Sequence, residues 1–404
     1  MPINQRNAGF ISTTYQPLQV ANAPTIGAAT AGDASASVAF TAPANVGGSA
    51  ISAYYAVSNP DRVTVSGASS PINVTGLTNG TAYTFTVWAL NTYGPSPFSG
   101  ASGSATPALP PPQGIFAGGT PGGGVYTNII SYISFSSLGN STDFGDLLVT
   151  NENMGACASA TRGVFAGGQL NGTSIQYITI ATTGNSATFG SLSPQSTGGT
   201  SGCNSSTRGV FSGGYNSSTG VQTDIRYITI ASTGDTTSFG DLSLGKYNFG
   251  GGCSSSTRGI IGGGNTASIY QNVIEYITIA STGNSTDFGD LTVARSDMGV
   301  CSSATRGVFG GGDNNDGRFN VIDYITIAST GNATDFGDLT SAVFGIAACS
   351  STTTAVFGGG SLQFGITTTL QNITIASTGN ATNFGNLTIE TRSPGACSSL
   401  NGGL

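Results

Sequence analysis

Six cysteines, Cys157, Cys203, Cys253, Cys301, Cys349 and Cys397, recur at intervals of 46, 50, 48, 48 and 48 residues. Their surroundings keep the same beat. A glycine-doublet segment recurs as GIFAGG (Gly114), GVFAGG (Gly163), GVFSGG (Gly209), GIIGGG (Gly259), GVFGGG (Gly307) and AVFGGG (Ala355). YISF or YITI follows at Tyr132, Tyr177, Tyr227, Tyr276 and Tyr324, with NITI at Asn372. FGDL or a variant closes each unit at Phe144, Phe189, Phe239, Phe288, Phe336 and Phe384. Self-similarity at such a period signals a solenoid or a propeller and has to be recognised before any motif inside it is read. Each unit reads as four short strands: the Cys segment, the glycine-doublet segment, YITIAST and TDFGDL. TGN, a tight turn whose Gly and Asn tolerate positive φ, joins the last two.

Four strands in each of six units predict a six-bladed β-propeller over residues 114–404. The array opens on a second strand and ends on a first strand, GACSSL (Gly395–Leu400). The C-terminal strand is therefore expected to complete the first blade and leave no free edge. STDFGDL (Ser141–Leu147) spells the D-F-G of protein kinases, but no P-loop, catalytic-loop Asp or phosphate-binding lysine accompanies it. A triplet repeated in register belongs to the scaffold. The Asp-box-like SxDxGx at Ser141 and Ser285 is read the same way.

Composition narrows the chemistry. With no histidine, the chain has no Ser/His or Cys/His dyad, no imidazole metal site and no imidazole general base. No catalytic, cofactor-binding or metal-binding residue is predicted. A net charge of −7 with one lysine argues against nucleic acid. No apolar run approaches the roughly 18 residues of a membrane span, and MPINQRNAGF has no signal-peptide core. A soluble protein made in the cytoplasm is expected. The cysteines have only small neighbours, which suits crowded innermost strands and buried free thiols. Equivalent blade positions are too far apart for disulfides. Arg162, Arg208, Arg258 and Arg306, each in a TRG segment, are expected to hydrogen-bond carbonyls or a neighbouring blade, with an anion-binding arginine ring as the alternative. Sequons at Asn140, Asn284, Asn332 and Asn380 fall in the TGN turns and read as turn residues.

The repeats resemble kelch repeats, with Phe where those carry Trp, as in Phe336 to Leu339. Upstream, Asn22–Pro107 resembles a fibronectin type III module. The matching text is AGDASASVAFTAPANVGGSAISAYYAVSNP followed by PINVTGLTNGTAYTFTVWALNTYGPSP. Tyr83, Phe85, Val87 and Ala89 mark one buried face. Leu77 with Tyr83 matches the tyrosine corner, and Phe40 replaces the usual core Trp. The expected organisation is all-β: an extended arm over 1–21, a fibronectin type III-like β-sandwich over 22–107, a Pro-rich linker over 108–113, and the propeller. The combination and the repeat wording are similar to virion proteins of tailed phages, particularly those of cyanobacteria. That resemblance implies a multicopy structural component, a fibre or tail appendage or a capsid decoration, made in the host cytoplasm. It would contact other virion proteins through the arm and the fibronectin-like module, and a host-surface glycan or protein through the propeller. A bacterial cell-surface glycan-binding or adhesive protein is the alternative. A propeller enzyme acting on glycosides is the third reading.

Comparison of the repeats separates two faces. The turns joining strands one to two and three to four are monotonous, whereas the two–three and four–one connections diverge. The divergent connections hold Tyr126, Tyr215, Lys246, Tyr247, Tyr270, Arg295, Arg318, Phe319 and Arg392, the interaction candidates of that face. In the fibronectin-like module Trp88 should point outward beside Tyr55 and Val57, as a contact patch. Phe10 and Tyr15 are the corresponding candidates in the arm.

Overall fold

The computed structural model describes residues 19–108, 113–192, 198–248 and 251–399. Phe10 and Tyr15 lie outside the described residues, as do residues 109–112 of the Pro-rich linker. Among the described residues every regular element is a β-strand. The chain divides into two compact units, Met1–Pro110 and Pro111–Leu404.

In the first unit, strands β1 (Thr25–Gly32), β2 (Ser35–Thr41) and β5 (Ile72–Thr75) form one sheet in the order β1-β2-β5. Strands β3 (Ala53–Asn59), β4 (Thr64–Gly67), β6 (Thr84–Asn91) and β7 (Gly94–Pro95) form the other, in the order β4-β3-β6-β7. Period-two alternation buries Val38 and Phe40 from β2, Tyr54 and Ala56 from β3, and Phe85, Val87 and Ala89 from β6 in one core. Beyond β7 the edge is finished by side chains. Ser96, Ser99 and Ser102 accept from the amides of Ala89, Val87 and Phe85, each at 2.9 Å. Their own amides donate to the carbonyls of the same three residues. Three residues of this segment thus match two of β6, a spacing that no period-two pattern reveals.

The second unit contains, among its described residues, six four-stranded antiparallel sheets. Each sheet is open, with two edges. In the first, β8 (Gln113–Ala117), β9 (Ile129–Ser134) and β10 (Thr142–Asp146) are joined by the C-terminal strand Gly395–Ser398. That strand pairs with β8, Cys397 opposite Ile115. In the other five sheets the strands follow in chain order, beginning at Gly155, Ser201, Gly252, Gly299 and Ala347.

Consecutive sheets are held together by the repeated residues. A Cβ at Gly209 would lie 2.4 Å from Cys157 Sγ, and one at Gly259 would lie 2.6 Å from Cys203 Sγ. In five of the six sheets the second residue of the second strand is glycine, with no side chain, because the preceding sheet's cysteine fills that space; the sixth sheet has Ala355 there. The relation continues from the sixth sheet to the first, where Cys349 Sγ faces Gly114. All six thiols are free and buried, and burial pushes Cys203, Cys301 and Cys397 up to about 12.

The closing motif works the same way. The TGN turn of each sheet, LGN in the first and TGD in the third, docks on the fourth strand of the sheet before it. Gly184 N donates to Phe144 O at 2.7 Å, and Asn185 Oδ1 accepts from Asp146 N at 3.0 Å. From the first sheet back to the sixth, Gly139 N donates to Phe384 O at 2.9 Å and Asn140 Oδ1 accepts from Asn386 N at 3.0 Å. A Cβ on the DFG glycine Gly289 would lie 2.4 Å from Gly331 O, so this glycine permits a backbone crossing. The triplet is architectural. So are the sequon asparagines Asn284, Asn332 and Asn380, which accept from Asp241, Asp290 and Asp338 amides. The TRG arginines reach the next sheet: Arg162, Arg208, Arg258 and Arg306 donate to the carbonyls of Ile230, Ile279, Ile327 and Ile375. Each guanidinium also covers the tyrosine ring of its own sheet.

Candidate functional site

The divergent connections meet on one side of the second unit. Five of the six connections leaving a fourth strand make a bridge with the two–three connection of the following sheet: Gly198 with Tyr215, Tyr247 with Asn265, Ser296 with Asp313, Phe344 with Ser361, and Arg392 with Thr120. Nearer the centre six residues with positive φ form a ring: Asn153, Gly199, Asn248, Asp297, Gly345 and Ser393. The amide of each donates to the carbonyl of the one before it, and Asn153 N returns to Ser393 O at 3.0 Å. Gly and Asn suit this left-handed backbone. These six residues surround a cavity of about 30 Å³, with Met154, Thr200, Ile346 and Pro394 completing its wall.

Electrostatics single out Asp297 in that ring. Burial, with Asp313 nearby, pushes its carboxyl up to about 7 against the opposing hydrogen bond from Ser296. Burial also raises Asp313, and it raises the Tyr270 hydroxyl along with the charges of Asp313 and Asp297. Tyr215 and Tyr247 are in ring contact at 5.5 Å, and Arg318 lies 5.0 Å above the Phe344 ring. Tyr215 is exposed, whereas Tyr126, Tyr247, Tyr270, Arg318, Phe319 and Arg392 are half-buried. Five two–three connections also carry an exposed apolar side chain: Val125, Leu170, Tyr215, Ile269 and Phe364. Sequence reading overlooked all of these except Tyr215, because a lone apolar residue in a polar loop carries no periodic signal.

Two expected surface residues are corrected. Lys246 and Arg295 are buried, not displayed. Lys246 Nζ lies 2.6 Å from Glu275 Oε2, and Arg295 Nη2 lies 3.0 Å from Asp323 Oδ2. Both acids stand on the third strand of the following sheet. Burial opposes the Glu275 charge, but Lys246 and the Ser243 hydrogen bonds prevail and hold its carboxyl below the ordinary range. Two of the equivalent junctions hold neutral pairs, Asn151 with Gln176 and Val343 with Gln371, all buried. At these four junctions a base and an acid occur together or not at all, as a buried charge requires; in the third sheet the same strand position holds Arg226, which pairs with Asp224 of its own strand at 3.4 Å. That matched variation was the available signal, and it lies across two repeats.

Residues 22–103 match the Fibronectin type III domain family. This segment is a fibronectin type III domain. No curated protein matches the chain. In the fibronectin type III domain the Tyr83 hydroxyl donates to Asp61 Oδ2 at 2.6 Å and accepts from Thr78 N at 3.0 Å, tying the corner. Trp88 lies opposite Tyr55 on β6 and β3, and their rings stack at 4.1 Å. With Val57 they lie half-buried on the face of that sheet opposite the core residues.

Proposed function

We propose that the chain is a non-enzymatic structural protein of a tailed-phage virion, a fibre or tail appendage or a capsid decoration. It is made in the host cytoplasm and assembled in many copies. Residues 1–21 and the fibronectin type III domain join it to other virion proteins. The second unit is a kelch-like six-bladed propeller whose divergent face meets a host-surface glycan or protein. Neither nucleic acid nor membrane insertion has a part.

The observation that carries the propeller reading is the ring of six backbone hydrogen bonds, in which the last repeat bonds to the first. Pairing of the C-terminal strand with β8 supports it. A scaffold role is supported by the use of the repeated Cys, Gly, Asn and Arg side chains in sheet-to-sheet contact. Divergence concentrated on one side supports binding there. The virion assignment is supported by the likeness of the repeat wording, joined to a fibronectin type III domain, to tailed-phage structural proteins. Mass spectrometry and immunogold electron microscopy of purified particles test it, with the full chain and with a chain lacking residues 1–21. The full chain is expected on the particle and the shortened, folded chain is expected to be missing from it. Equal incorporation of both would refute the anchoring role, and absence of the full chain would refute the virion assignment.

A further inference from the structure

We infer that the recess between the fifth and sixth sheets on the divergent face binds an uncharged saccharide. This rests on the reading of that face as the ligand-presenting one. The recess measures about 590 Å³ and is lined by Asp313, Asn314, Asp316, Arg318, Phe344 and Gln363, among others. That volume falls within the roughly 300–1,000 Å³ of small-molecule sites.

Its wall is a hairpin, Asp313–Asn314 paired with Gly317–Arg318, which most of the other sheets lack. Asn314 holds the hairpin in place: its Nδ2 donates to Ala294 O at 3.0 Å, and its Oδ1 accepts from Asp316 N at 2.7 Å. Asp313 accepts from Ser296 Oγ at 3.3 Å. Opposite, Phe344 is bridged to Ser361 and covered by the Arg318 guanidinium. Phe364, next to Gln363, is 88% exposed.

A sugar ring offers neighbouring hydroxyls, each both donor and acceptor, and a patch of C–H groups. The Asp316 carboxylate and the Gln363 carboxamide are planar groups suited to paired hydroxyls. Phe344, which lines the recess, supplies an aromatic ring for the C–H patch. Two carboxylates against one arginine disfavour phosphates, sialic acids and uronic acids. A peptide strand has less to bind, because the hairpin strands already pair with each other.

Saturation-transfer NMR and calorimetry on the full chain test the inference. The probes are glucose, galactose, mannose and N-acetylglucosamine, with N-acetylneuraminic acid as the anionic comparator. At least one neutral sugar is expected to bind, and Asp316→Asn with Gln363→Ala is expected to weaken it about tenfold through lost hydrogen bonds. Leu138→Ala, in the exposed three–four turn of the first sheet on the monotonous side, is expected to leave that affinity unchanged. Both variants should unfold at the wild-type temperature. The inference is overturned if no neutral sugar binds, if the anionic sugar binds as tightly, or if the double variant binds undiminished. It is also overturned if a sugar-free host protein binds through these residues instead. Incorporation of the double variant into particles is read separately, so failure here and failure of the virion assignment are distinguishable.

Discussion

Replacing Lys246 by valine tests the buried pairs. Lys246 Nζ is the cation 2.6 Å from Glu275 Oε2, and both side chains are almost wholly enclosed. In Lys246→Val the Glu275 carboxylate keeps its bonds from Ser243 N and Ser285 Oγ but loses its counter-charge. Stranding a buried charge costs about 3–5 kcal/mol. For a unit of this size that corresponds to a fall of about 5–8 °C in the midpoint of unfolding. Lys246→Val with Glu275→Gln reproduces the Val343 and Gln371 pair found two junctions on, and most of the loss is expected to return. Differential scanning calorimetry of the full chain suits the assay, because the single tryptophan, Trp88, belongs to the other unit. The sign with pH is also fixed. The folded Glu275 carboxyl is held low, so its contribution is present above its unfolded value and is lost as pH falls through the folded one. In Lys246→Val the unpaired carboxyl takes up a proton more readily, and the deficit shrinks on acidification. A loss below about 1 kcal/mol, or a double variant no better than the single, would refute the reasoning.

Asp297 has its folded carboxyl raised to about 7, so its contribution to stability falls as pH rises from about 4 to about 7. Asp297→Asn, the residue already found at Asn153 and Asn248, is expected to gain about 1–2 kcal/mol at pH 8 and nothing at pH 4 in urea titrations, allowing for solvent at the cavity mouth. Gly289→Ala drives a Cβ against Gly331 O and is expected to destabilise by about 2–4 kcal/mol; a neutral result would contradict the docking of TGN on the FG strand. Native thiol titration with Ellman's reagent is expected to find none of the six cysteines, and denaturant is expected to release all six. Trp88→Ala removes the stack on Tyr55 and is expected to lower stability of the fibronectin type III domain by about 1–2 kcal/mol, with no change in the second transition.

Much of the architecture was legible because repetition amplifies a weak local signal. One GVFGGG segment is ambiguous, whereas six in register fix four strands and their order. Parity in β6 likewise placed Trp88 opposite Phe85 and Val87. The two misplaced residues share one physical cause. A lysine in a polar loop reads as solvated, and its buried partner stands in the next repeat, beyond any local window. The positive-φ ring was hidden for a related reason: Asn, Gly, Asp and Ser share no hydrophobic pattern, only a backbone conformation. The serine-bonded edge beyond β7 escaped because its three-residue spacing matches neither strand nor helix.

Hydrogen exchange at the chain's end tests the return of the last repeat to the first most directly. Amides in Gln113–Ala117 and Gly395–Ser398 are expected to be slow together, and deletion of residues 395–404 is expected to speed exchange at those amides of Gln113–Ala117 that face the lost strand, while those bonded to β9 stay slow. Unchanged protection of Gln113–Ala117 in the shortened chain would contradict the pairing.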